Sequence, residues 1–202
     1  MSIIETTPEP AASGRTAEIY AADRRALGYV PSHTRALAMN PEAFDAWKAL
    51  QQTIADSLGP RAFELVTLAA AQGIGSAHCR LAHGKKSLRI MTEAELVPVA
   101  RNYHDAGLPA AEVAMMEFTE KLSTDSSAMT DADSLRLRRA GFSDREIVDI
   151  ALAAAARNYL SRILQALAID VDVPPGLGET LRNALLEPLA SRQSVPSAAP
   201  PG

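Results

Sequence analysis

The residues best able to do chemistry lie close together in the chain: Glu64, Ser76, His78, Cys79 and His83. Ser76, Cys79 and His83 follow one another at steps of three and four, so on an α-helix they share one face. Gly73 and Gly75 predict a tight turn just before them, which leaves Cys79, the only cysteine, within the first turn of the helix. Unsatisfied amides and the positive end of the macrodipole favour an anion there, and the thiolate is the reactive form of cysteine. His83, one turn further on, is expected to accept the thiol proton or to act as a charge partner. Glu64, from the preceding helix, is expected to orient the imidazole and support its charged form. Ser76 is expected to donate a hydrogen bond to the sulfur. His78 lies about 100° round the helix from Cys79, so it approaches from the side or faces a neighbouring subunit.

Each of these residues also has a plainer reading. A lone cysteine is commonly buried packing. His83 stands before Gly84 and two lysines and fits a solvated face, and Glu64 can pair with Arg61 or Arg80. The joint spacing is what favours chemistry. His78, Cys79, His83 and Glu64 are all zinc-ligand types, but adjacent helical residues point in different directions and do not converge with His83 on one ion, so no metal is expected. No flavin, haem or nucleotide is expected either, because Gly73-Ile74-Gly75 lacks the spacing of a phosphate loop.

Helices must position this cluster, and their punctuation is frequent. The signals predict helices over about Thr16 to Leu27 and Ser32 to Met39, then one capped by Asn40 from Pro41 to about Leu58. Pro60 opens the helix carrying Glu64, which breaks at Gly73-Ile74-Gly75, and the Cys79 helix runs from near Ser76 to about Leu88. Thr92 with Glu95 forms a capping-box pattern for a helix to about Asp105, and Pro109 begins one to about Ser123. Thr130 and Asp133 mark a short helix ended by Gly141. Ser143 with Glu146 opens the longest, to about Ile169, and a last piece spans about Glu179 to Leu189. The expectation is one all-α domain over residues 15–190, with a flexible segment at 1–14 and a disordered tail at 191–202.

Composition agrees with helices: hydrophobic residues make up 47% of the 202 but aromatics only 4%, so the core is built of Ala, Leu, Ile and Val. A formal net charge of -4 offers no basic field for nucleic acid. No apolar run is long enough to span a membrane, and the acidic, proline-containing start MSIIETTPEP is unlike a secretory signal. With a single cysteine, these features lead us to expect a cytoplasmic protein.

One internal similarity bears on architecture. Glu64-Leu-Val-Thr-Leu-Ala matches Glu146-Ile-Val-Asp-Ile-Ala, and the same offset of 82 residues pairs Arg80 with Arg162, Ser76 with Asn158 and Cys79 with Ser161. A duplicated helical hairpin with chemistry in one copy is one explanation; chance agreement between two Ala-rich amphipathic helices is the other.

The pattern Glu64, twelve residues, Ser76-Ala-His78-Cys79-Arg-Leu-Ala-His83 resembles the active-site motif of the alkylhydroperoxidase D-like proteins, in the carboxymuconolactone decarboxylase superfamily. That motif is Glu, then Cys-x-x-Cys, then His four residues on; here Ser76 replaces the first cysteine. GYVPSHTRALAMNPEAFDAW, MEFTEKLSTDSSAMTDADSLRLRRAGFSDREIVDI and Asn158-Tyr-Leu-Ser161-Arg162 resemble the peroxidase-related subgroup, so the likeness covers roughly residues 15–175. The resemblance implies an all-α bundle with internal duplication, assembled as a homo-oligomer: a dimer, trimer or hexamer. It implies a thiol-dependent peroxidase of the peroxiredoxin type. Cys79 would be the peroxidatic cysteine, His83 and Glu64 the proton relay, His78 a further histidine beside the cysteine pair, and Ser76 would stand where the resolving cysteine belongs. A hydroxyl cannot form a disulfide, so the partners would be a hydroperoxide and an external small-molecule or protein thiol. The alternatives are an acid/base enzyme of the decarboxylase kind using His83 and Glu64, and a non-catalytic oligomeric scaffold.

Overall fold

A computed structural model of the chain describes residues 4–193. Among them every regular element is helical: α1 (Gly14–Leu27), α2 (Ser32–Leu37), α3 (Pro41–Leu58), α4 (Pro60–Gly73), α5 (Ala77–Ser87), α6 (Glu93–Asn102), α7 (Ala110–Thr124), α8 (Asp131–Arg139), α9 (Asp144–Ala166) and α10 (Glu179–Gln193). Most starts obey the sequence signals. The Asn40 side chain accepts from the Ala43 amide at 3.1 Å, and Thr92 with Glu95 and Ser143 with Glu146 both close reciprocal capping boxes.

The ends differ in places from expectation. The helix expected to reach Asp105 stops at Asn102, whose side chain accepts from the His104 amide at 3.2 Å and turns the chain into a 3-10 turn over Tyr103–Asp105. The helix expected to reach Ile169 ends at Ala166, just before Ala168 takes a φ of 48°. The last helix runs on through Pro188 to Gln193. In the described part of the amino-terminal segment, Glu9–Ala11 form a 3-10 turn and the Tyr20 hydroxyl donates to the Thr7 carbonyl at 3.0 Å. The tail expected at 191–202 lies, from residue 194 on, outside the described residues.

At the centre runs α4, whose Leu65, Val66, Leu68, Ala69, Ala70 and Ala71 are buried on every side. Packed around it are α3, α5, α7 and α9, and its alanines let these neighbours approach closely. On the far side α5 rests on α10, where a Cβ at Gly84 would collide with the Leu185 side chain unless that side chain moved.

The similarity at an offset of 82 residues takes an unequal form. Its first copy is the hairpin α4–α5, broken at Gly73 to Ser76, whereas the matching stretch from Ala155 to Asn158 continues as the middle of α9. Ala155 and Arg157 stand where the first copy has Gly73 and Gly75, and nothing stops the second helix. The first copy therefore has a helix start in mid-structure, and the second packs against it as an unbroken wall.

Candidate active site

The break between α4 and α5 is where the site begins. Gly75 has a φ of 72°, a left-handed conformation that reverses the chain, and the Ser76 amide then donates back to the Ala71 carbonyl at 2.8 Å. From the facing helix, Gln165 donates to the carbonyls of Ile74 and Gly75 at 3.0 and 3.3 Å. Ser76 is the N-cap of α5: its hydroxyl accepts from the Cys79 amide at 3.4 Å. This corrects the expectation that Ser76 bonds the sulfur, since the cap geometry turns its hydroxyl to the backbone. Cys79 does lie in the first turn of α5, as the glycines implied.

The sulfur's partners come instead from α9. Cys79 Sγ shares a hydrogen bond of 3.3 Å with Ser161 Oγ, its counterpart in the internal similarity, and Arg157 Nη1 donates to the sulfur at 3.6 Å. Arg157 is 3% exposed, and its Nε is buried without a partner. A buried guanidinium is costly unless it meets acceptors or negative charge, and the sulfur is the acceptor that its Nη1 reaches. Cys79 is itself only 2% exposed and belongs on one side to an apolar cluster with Ala36, Ala71, Leu160, Leu164 and Ile169. On the other side it lines a cavity.

His83 and Glu64 meet as the spacing implied: His83 Nδ1 and Glu64 Oε2 share a hydrogen bond of 2.7 Å, and the two side chains are 3% and 12% exposed. Burial pushes the Glu64 carboxyl up to about 7. Burial also holds His83 well below its ordinary value, helped by the positive charges of Arg157 and Lys86. The expectation that Glu64 supports a charged imidazole is therefore corrected: the surroundings favour the neutral ring. The ring is bonded to Glu64 and not to the sulfur. His78 comes in from the side of α5, and its Nε2 donates to the Ile169 carbonyl at 2.6 Å, not to the sulfur.

That bond pins the segment after α9 over the site, together with others from Ser32 and Lys85. The Ser32 hydroxyl donates to Asp172 at 2.8 Å, and Lys85 donates to the Gly176 carbonyl at 2.8 Å. Beneath the segment lies a cavity of about 620 Å³, walled by α5, α9, α3 and the turn into α2. Cys79, His78 and His83 line it, and so do Arg157, Lys86 and His33. Burial and neighbouring positive charge push His33 down to about 3. Lys86, which opens onto the cavity, is lowered by desolvation and by Arg157.

Arg157, Ser161, His33 and Lys86 were not assigned roles from the sequence. Arg157 and Ser161 are one turn apart in an apolar, Ala-rich helix, and an arginine in such a stretch was the available signal. Ser161 was already paired with Cys79 by the internal offset. Among the described residues no group of three or more His, Cys, Asp and Glu side chains is placed to hold a metal ion. No described helix is long and apolar enough to cross a membrane.

No protein-family model and no curated protein matches the sequence. Solved structures do match the fold. An uncharacterised peroxidase-related protein from Ralstonia eutropha JMP134, with the alkylhydroperoxidase AhpD core, superposes with a TM-score of 0.73 at 25% identity, covering 91% of this chain and 96% of that one. An uncharacterised peroxidase-related protein from Silicibacter sp. TM1040 gives 0.72 at 26% identity, over 83% and 92%. The debrominase Bmp8, as a cysteine-to-alanine variant with 2,3,4-tribromopyrrole, gives 0.70 at 17% identity, over 93% and 100%, and shares the fold alone. The fold is thus the AhpD-like all-α fold, and the peroxidase-related neighbours support placement in that superfamily.

Proposed function

We propose that the protein is a thiol-dependent peroxidase that reduces hydroperoxides through Cys79 and is regenerated by an external thiol. The observation that carries this reading is the sulfur held between Arg157 and Ser161 in the first turn of α5, facing a cavity. The thiolate attacks the terminal peroxide oxygen and the O–O bond breaks, leaving a sulfenic acid on Cys79 and an alkoxide. The alkoxide takes up the proton released by the thiol, which the hydrogen-bonded His83–Glu64 pair, with its carboxyl raised to about 7, is suited to relay. One external thiol then displaces water from the sulfenic acid to give a mixed disulfide, and a second releases Cys79 and leaves as the disulfide. Ser76 supplies no sulfur for an internal disulfide, so without external thiol further peroxide should drive Cys79 to the sulfinic acid.

Peroxide consumption with a small dithiol tests this. Cys79→Ser should abolish turnover, and turnover that survives would refute the reading. A second reading has its own observation: a carboxyl tuned to about 7 and bonded to a buried imidazole also suits proton transfer in an acid/base enzyme. In that case Cys79→Ser would be active while His83→Ala and Glu64→Gln were not.

We also propose a homo-oligomer. Val148, Leu152 and Tyr159 are exposed large apolar residues at helical spacing along α9, and sedimentation of a Val148→Lys, Leu152→Lys variant as a smaller species would support it.

A further inference from the structure

We propose that the cavity beside Cys79 selects hydroperoxides that carry a carboxylate, with the peroxide oxygen at the sulfur and the carboxylate at Lys86 and Arg89. This inference rests on the peroxidase reading and adds the substrate class to it.

Charge is the first argument. The chain carries a formal net charge of -4, yet the cavity is lined by Lys48, Lys85, Lys86, Arg89 and Arg157 against one carboxylate, Asp23. Asp23 is already engaged, accepting from the Thr34 hydroxyl at 2.5 Å. Lys85 is tied to the Gly176 carbonyl, and Lys48 lies over the Phe44 ring near Asp45. The side chains of Lys86 and Arg89 have no hydrogen bond or ion pair among the described residues, and the buried Nε of Arg157 is unpartnered. Cations gathered in a concave, partly apolar site repel one another, and this repulsion adds to burial, the larger cause, in pushing Lys86 and His33 toward their neutral forms. An anion relieves that repulsion, and low-dielectric walls strengthen its attraction.

Placement is the second argument. Cys79, Lys86 and Arg89 are spaced by seven and three residues, so they follow one face of α5 and its continuation, from the sulfur toward the cavity rim. Trp47, Leu160 and Leu164 give the same cavity an apolar lining. A ligand with a reactive end, an apolar body and an anionic head matches that order. Hydrogen peroxide would leave the cations and most of the 620 Å³ unused.

Trp47 is the only tryptophan and lines the cavity, so its emission reports occupancy without any turnover. The probes are 4-phenylbutyrate and its neutral isostere 4-phenylbutyramide, titrated into the full chain. The acid should saturate the emission change with an affinity at least about tenfold above that of the amide. The double variant Lys86→Met, Arg89→Gln should lose about tenfold for the acid and keep its affinity for the amide. Equal affinity for acid and amide, or no saturable signal from the acid up to about 10 mM, would overturn the anionic site. If the acid is preferred but Cys79 is never oxidised by peroxide, the hydroperoxide class falls and the anion site stands. If Cys79 is oxidised and the acid is not preferred, only this inference falls.

Discussion

Glu64 and Glu146 occupy the same place in two similar stretches of chain and live in opposite conditions. Glu146 is exposed, and hydrogen bonds from Ser143 hold its carboxyl below the ordinary range; Glu64 is buried against His83 and pushed up to about 7. The arginines diverge in the same way. Arg80 is fully buried and donates to the carbonyls of Leu185, Leu68 and Ala100 and to Gln72, whereas its counterpart Arg162 faces solvent. Cys79 and Ser161 meet directly, where the two similar stretches pack together. The contrast shows how one break in a helix separates two roles. Where Gly73 to Ser76 interrupt the chain, a helix start and a buried relay appear; where the helix runs on, the same positions make a cap, a solvated face and a wall.

Four changes, the second with a control, would break or sharpen that contrast. The largest effect is expected for Arg80→Met, which leaves three backbone carbonyls without their donor and should cost about 3–5 kcal/mol in chemical denaturation. Next is Glu64→Gln, read against pH. Burial raises the folded-state value of Glu64 from 4.5 to about 7, so its contribution to stability is full below 4.5 and lost as pH rises through 7. The glutamine variant has no such loss, and its stability relative to the natural chain should improve by up to about 3 kcal/mol between acid and neutral pH. The same scan on Glu146→Gln should show no such gain, because that carboxyl is lowered rather than raised. The third change, Ser161→Ala, removes one hydrogen bond from the sulfur and should slow peroxide reduction by about tenfold, measured as kcat/KM. The smallest is Arg162→Met, which should stay within about 0.5 kcal/mol of the natural stability.

The helical punctuation was largely legible because it is local. Asn40 before Pro41, Thr92 with Glu95, and Ser143 with Glu146 each act within one turn, and each caps the helix it marks. The meeting of Glu64 with His83 was legible too, since one tight turn joins their helices. The partners of the sulfur were not. Arg157 and Ser161 arrive from a helix nearly 80 residues away, and only the packing of α9 on α5 reveals them. The protonation of the relay was equally hidden, because spacing places two groups together while burial decides which form they take. Ser76 is a different case: its distance along the helix suited a bond to sulfur, and the need of a helix start for a cap decided otherwise.

The measurement that bears most directly on Cys79 is trapping of its oxidised form. The folded protein is mixed with one equivalent of hydrogen peroxide in the presence of dimedone, and the peptide containing residue 79 is weighed by mass spectrometry. A reactive sulfur between Arg157 and Ser161 predicts a dimedone adduct on Cys79 that forms within the dead time of manual mixing and is much reduced in Arg157→Met. A Cys79 peptide recovered unmodified from protein that is still folded would contradict it.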